Sequence, residues 1–242
     1  MTDGKISGGK AAAIAMLVLG CIMFFGAPPI AMRDWGWRPT HVWLLDVVAG
    51  VAILVAIGRI AGQPLLTDER RRWSLSRLQL LSWTMLVLPT VWTMVVRKLL
   101  AGADDPLALG MDENLWALLG VSAASFVGSP LILERKRATT GLLDVRSVAT
   151  HGDNTGEVRD LFRGEESGNA EVVDIGRVQM CLFTAIAVAV YFAAVWNALA
   201  VETATALAFP PMSQSLVGLI GISHATYLAA KLPDRAARTA VV

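Results

Sequence analysis

The stretch Arg177-Val178-Gln179-Met180-Cys181-Leu182-Phe183-Thr184 decides the fold. It opens an apolar run that ends near position 200. A twin lies 100 positions earlier, where Arg77-Leu78-Gln79 opens a run ending near position 96. Thr84 and Thr184 match at the same offset, as do Trp83 with Phe183 and Trp92 with Phe192. A second match follows at an offset of 101: Leu118-Leu119-Gly120-Val121-Ser122 against Leu219-Ile220-Gly221-Ile222-Ser223. The spacing predicts two copies of one two-helix unit.

The rest of the chain says what surrounds those helices. Of its 242 residues, 55% are hydrophobic and 17% charged, against about 25% charged in soluble domains. The mean hydropathy is +0.55. The apolar residues fall in blocks of about 20, the length a helix needs to cross ~30 Å of hydrocarbon. Such blocks are expected at 11–30, 41–60, 74–96, 114–133, 175–200 and 213–231. Pro28-Pro29 is expected to end the first block, which reads as a retained helix rather than a signal peptide. Pro89 is expected to kink the third, and Glu134-Arg135-Lys136-Arg137 to end the fourth.

The fold class is therefore an all-α membrane protein with six transmembrane helices. The chain reads as a hairpin over 1–62, repeat 1 over 63–133, a polar loop over 134–173, and repeat 2 with a polar tail over 174–242. With the N-terminus inside, only Arg33, Arg38, Arg97 and Lys98 of the 21 Lys and Arg residues fall in outside loops, which predicts N-in and C-in. Both copies then start on the same side, as parallel rather than inverted repeats. Trp35, Trp37, Trp43, Trp92, Trp116 and Trp196 form an expected aromatic belt at the outer face. Gly50 and Gly58 mark places where another helix approaches closely.

The polar residues within the blocks are the functional candidates. Arg77, Gln79, Arg177 and Gln179 admit two readings: lipid-phosphate and interhelical bonds, or a ring around an inner pore mouth. Gly120-x-Ser122 and Gly221-x-Ser223 mark either tight helix crossings or hydroxyls facing a pathway. Asp46, Asn197 and His224 break the apolar pattern, and intramembrane ionisable groups are functional candidates by default. Asp46 lies one turn into its helix and is expected to be shallow enough to reach water. His224 stands where the first copy has Ala123, so it serves either as hydrogen-bonded packing or as a proton or ion group. Asp104, Asp105, Asp112 and Glu113 form an acidic outer loop able to concentrate cations.

Other chemistry is absent from the sequence. There is no P-loop, dinucleotide fingerprint or His-Glu-x-x-His. Ser223 and His224 are helical neighbours about 100° apart and cannot pair as nucleophile and base. His151 and Asp153 are too sparse for a metal site. Cys21 and Cys181 read as small apolar residues. No enzyme, cofactor, metal or nucleic-acid partner is expected.

Three segments carry a resemblance: Asp160-Leu161-Phe162-Arg163-Gly164-Glu165-Glu166, Asp174-x-x-Arg177-Val178-Gln179-Met180, and Leu219-Ile220-Gly221-Ile222-Ser223-His224-Ala225-x-Tyr227-Leu228. With Ser74-Leu75-Ser76-Arg77-Leu78-Gln79, these resemble a loose group of bacterial polytopic inner-membrane proteins, over roughly residues 58–232. The resemblance implies a multi-pass protein of the bacterial inner membrane and no catalytic or binding residue. The resulting expectation is a homo-oligomeric ion channel or pore in the lipid bilayer. The alternative is an anchor that docks a cytoplasmic protein through residues 134–174. The third is a proton-coupled transporter using His224 or Asp46.

Overall fold

The first apolar block stays helical well past its proline pair. In the structure, a computed structural model that describes residues 8–68, 72–140, 156–164, 172–201 and 207–232, α1 (Gly8–Cys21) runs into a π-helical turn, Ile22–Gly26, and on into α2 (Ala27–Arg33). Pro28 falls in the first turn of α2, where a backbone N–H has no intrahelical acceptor to lose. The wider π turn supplies the break that a proline otherwise forces.

The remaining helices are α3 (Pro39–Ala61), α4 (Leu75–Leu100), α5 (Glu113–Thr140), α6 (Ile175–Ala200) and α7 (Gln214–Ala230). A single 3-10 turn, Val158–Leu161, lies within the polar loop. Helix α5 continues through Glu134 and Arg135 to Thr140 instead of stopping at 133. Glu, Lys and Arg are good helix formers, so leaving an apolar environment does not by itself end a helix. Pro89 and Pro130 both lie inside continuous helices.

Five stretches are long and apolar enough to cross a membrane: Gly8–Arg33, Pro39–Ala61, Leu75–Leu100, Glu113–Ile132 and Ile175–Ala200. Helix α7 has 17 residues. At ~1.5 Å per residue it is about 25 Å long, a few Å less than the hydrocarbon thickness. Among the described residues the regular structure is otherwise limited to two isolated bridges, Thr67 with Trp73 and Arg163 with Val173.

The chain divides into two compact units. The first comprises Met1–Leu65, Trp83–Asp112 and Val190–Pro211. Here α1 packs on α3 at Gly20, where an added Cβ would sit 2.8 Å from Ile53 Cγ1. Gly50 admits the Met85 sulfur, 3.0 Å from where its Cβ would be. Gly58 instead faces the loop that follows its own helix, at Gln63 and Leu65, so it serves a turn rather than a helix crossing. Trp43 is fully buried. Its indole Nε1 donates to Thr90 Oγ1 at 2.9 Å, and its ring lies 4.6 Å from Phe192. With its N–H satisfied inside the protein, Trp43 does not belong to a headgroup belt. Trp35, Trp37 and Trp116 are exposed.

The second unit comprises Leu66–Ser82, Glu113–Ala189 and Met212–Val242. Leu75, Leu161, Met180 and Tyr227 form its buried cluster, with Trp73 and Phe162 packed around it. Two pinched turns lead into α4 and α6. Ser74 N donates to Leu66 O, and Asp174 N to Phe162 O, each at 2.8 Å. Asp174 Oδ1 then caps α6, accepting from Gly176 N at 2.9 Å and Arg177 N at 3.3 Å, the usual service of Asp at this position.

A buried ion pair ties the two turns together. Arg72 Nε and Nη2 both donate to Asp160 Oδ1 at 3.2 Å. Asp160 Oδ2 accepts from Glu157 N at 2.9 Å and Trp73 N at 3.4 Å. Both carboxylate oxygens are thus satisfied at 2% exposure, whereas Arg72 Nη1 is buried without a hydrogen-bond partner. Asp160→Ala is expected to cost about 3–5 kcal/mol, because it leaves Arg72 buried without its carboxylate. In a double-mutant cycle with Arg72→Met, followed by thermal unfolding in detergent, the double variant should lose much less than the sum. Additive losses would show that the pair is not coupled.

Candidate functional site

Helices α5 and α7 pack against each other along two stripes of the same period. On α5 the buried positions are Leu115, Leu118, Ser122, Ser125 and Ser129; on α7 they are Ile220, His224 and Tyr227, with Ser223 beside them and Lys231 at the C-cap. Steps of three and four keep residues on one face of a helix. Each stripe begins apolar, at Leu115 and Leu118 on α5 and at Ile220 on α7, and is polar thereafter. The result is a row of hydroxyls facing a His, a Tyr and a Lys, all at most 7% exposed.

The row is hydrogen-bonded in two stations. In the first, Ser125 Oγ and His224 Nδ1 lie 2.6 Å apart. In the second, the Tyr227 hydroxyl stands 3.3 Å from Ser129 Oγ and 3.4 Å from Ser76 Oγ of α4, long contacts that a small side-chain movement closes. Lys231 Nζ donates to Ser129 Oγ and lies 4.4 Å from the centre of the Tyr227 ring, a cation–π contact strengthened by desolvation. His224 and Tyr227 are three residues apart on α7, so the stations are separated by ~4.5 Å of helix rise. Beyond the Ser125 bond, His224 Nε2 and the hydroxyls of Ser122 and Ser223 are buried without a hydrogen-bond partner. Polar atoms of this kind are the ones that buried water satisfies.

The sequence-selected residues distribute unevenly. Ser122, Ser223 and His224 come together on this face, but Ser223 and His224 do not pair, because the imidazole turns to Ser125 across the helix interface. The glycines of the matched Gly-x-Ser motifs do not make the crossing: nothing lies within 4 Å of a Cβ built on Gly120 or Gly221. At Gly128 an added Cβ would meet the Leu228 side chain at 3.7 Å, an ordinary contact.

Arg177 is 2% exposed. Its Nε donates to Leu161 O at 3.1 Å and its Nη1 to Arg163 O at 2.6 Å. Its match Arg77 is only half-buried and lies 5.9 Å from the Phe126 ring centre. Gln79 is buried and donates to Thr184 Oγ1 on α6. Gln179 is half-buried.

In the first unit Asp46 is fully buried, so it does not reach water as its shallow position suggests. Asn197 is exposed on α6, and so are Asp104 and Asp105. Asp105 Oδ1 accepts from Leu107 N and Ala108 N at 3.1 Å each and so holds its own turn. Asp112 is half-buried, and Glu113 is exposed in the first turn of α5. Much of the 134–174 loop (141–155 and 165–171, including His151 and Asp153) lies outside the described residues, as does the polar tail from 233. Among the described residues no group of three or more metal-ligating side chains occurs.

Sequence reading missed Ser125, Ser129, Tyr227, Ser76 and the buried role of Lys231. The signal was present as Ser122-x-x-Ser125-x-x-x-Ser129 and His224-x-x-Tyr227-x-x-x-Lys231, the same three-then-four spacing on two helices. No protein-family model matches the chain, and neither a curated protein nor a solved structure does.

The hydrogen-bond pattern separates the serines. Ser125→Ala removes the side-chain partner of a buried imidazole nitrogen and is expected to cost about 1–2 kcal/mol, in the range of interhelical bonds in membranes. Ser122→Ala removes a hydroxyl with no partner and should leave stability unchanged or raised. Thermal unfolding of the two variants in detergent checks the order; equal losses would contradict the geometry.

Proposed function

We propose that this chain is an integral membrane protein that conducts protons along the α5–α7 face. The supporting observation is two stations of buried, hydrogen-bonded groups on this face, Ser125–His224 and Tyr227–Ser129–Lys231, separated by ~4.5 Å of helix rise. A proton travels by exchange between hydrogen-bonded groups and needs no open lumen. Hydroxyl, imidazole and phenol groups each both donate and accept, which is what such exchange requires. Charged and polar chains of this sort mark proton relays within membranes. The unpartnered His224 Nε2, Ser122 Oγ and Ser223 Oγ extend the row where water would continue it. This is the channel reading narrowed to the smallest cation, and it absorbs the proton role of the transporter reading.

The surrounding architecture belongs to the same proposal: six spans, with α7 tilted little because it is short, both termini inside, and α4–α5 and α6–α7 as parallel copies. The excess of Lys and Arg in the inside segments supports the orientation. The resemblance to bacterial polytopic proteins supports the inner membrane as location, and the small interior of so short a bundle supports a homo-oligomer. Lys231 then lies at the inside end of the row and His224 deeper.

Purified protein in liposomes loaded with a pH-sensitive dye tests the reading. A potassium gradient with valinomycin sets the voltage. Proton entry should exceed that of protein-free vesicles and fall to the protein-free rate in His224→Ala. Entry unaffected by that substitution, or no entry at all, would sink the proposal. A current carried by sodium or potassium would favour the wider pore, and a fully retained protein partner with no flux would favour the anchor.

A further inference from the structure

Asp46 sits in the middle of the first unit rather than on the α5–α7 face, and the polar row on that face makes no use of it. It is 0% exposed on α3, a helix long and apolar enough to cross the membrane. Thr93 Oγ1 of α4 donates to its Oδ2 at 2.9 Å. Its Oδ1 is buried without a hydrogen-bond partner. One turn away, Trp43 Nε1 and Thr90 Oγ1 make the parallel bond, so α3 and α4 are held in register beside the carboxyl.

Among the described residues no cation closes on the free oxygen. Within this unit the elements packed against α3 carry Lys10 and Cys21 on α1, Arg33 on α2, Arg97 and Lys98 on α4, and Tyr191 on α6. Arg33 approaches Asp34, Arg97 donates to the carbonyls of Leu199 and Val201, Lys98 to that of Ala108, and Tyr191 to that of Pro210. Lys10 is exposed, as are His41 and Arg59 of α3 itself. An isolated carboxylate away from water is costly enough that the group binds a cation or takes up a proton. Two carboxyl oxygens and one hydroxyl are too few for a hard metal cation, which gathers six or more oxygens.

We propose that Asp46 is a proton-binding site within the membrane, with Oδ1 carrying an exchangeable proton and Oδ2 held by Thr93. The inference needs α3 to lie in the bilayer but does not rest on conduction along α5–α7. The Thr93 hydroxyl then has a specific role, because its bond to Oδ2 fixes which oxygen stays free.

Dicyclohexylcarbodiimide tests it on the full-length protein in liposomes. In this reagent's reaction the protonated carboxyl adds across a C=N bond, its proton going to nitrogen and its oxygen to the central carbon. The acyl group then migrates from oxygen to nitrogen and leaves a stable N-acylurea, which peptide mass spectrometry locates. The expected result is one adduct on the Asp46 peptide, diminishing as the pH is raised and lost in Asp46→Asn, which keeps the shape and the Thr93 contact. A water-soluble carbodiimide should label the exposed Asp104 and Asp105 instead. Thr93→Val should speed labelling at Asp46, because it removes the one donor that favours the ionised form. No adduct at Asp46 across the pH range overturns the proposal. Suppression by sodium or lithium at constant pH overturns it in favour of a metal-cation site. Labelling at Asp46 with no proton flux through the liposomes would leave this site standing and remove the conduction reading.

Discussion

A polar atom that leaves water for an apolar surrounding must find its partner within the chain, and the whole structure follows from meeting that demand. The backbone meets it by staying helical, even across Pro28, Pro89 and Pro130. The side chains meet it in pairs: Trp43 with Thr90, Gln79 with Thr184, His224 with Ser125. A bond of this kind contributes only about 1–2 kcal/mol. Leaving a buried group unsatisfied costs at least as much, so the pairs specify which faces meet rather than drive the helices together.

The same demand explains why positions matched in sequence sit in unlike surroundings. Arg177 is buried and donates to the carbonyls of Leu161 and Arg163. Arg77 lies against Phe126 instead. Gln79 is buried and Gln179 is half-buried. His224 stands opposite Ser125, whereas its sequence match Ala123 is exposed. Among the described residues these matched positions contribute to one polar row, on α5 and α7.

Where partners are missing, the structure departs from its own rule. Asp46 Oδ1, Ser122 Oγ, Ser223 Oγ and His224 Nε2 are buried and unpartnered. Orphaned polar atoms in a native protein call for an explanation such as bound water or a functional proton. Asp46 is held by Thr93 and His224 by Ser125, each through its other polar atom.

The class of fold is legible before any packing is known. Block length and the scarcity of charge dictate membrane-spanning helices, because hydrocarbon thickness sets a length and backbone hydrogen bonding sets the conformation. Ser122, Ser223, His224 and Asp46 also stand out, since composition alone shows a polar residue in an apolar run. Which faces meet is not written along the chain. Ser125, Ser129, Tyr227 and Lys231 look ordinary there and become a row only when α5 lies against α7. Arg72 and Asp160, far apart in sequence, become an ion pair only when two turns close on each other. Depth follows the same logic: position along a helix says how far Asp46 is from an end, but only packing decides whether water reaches it.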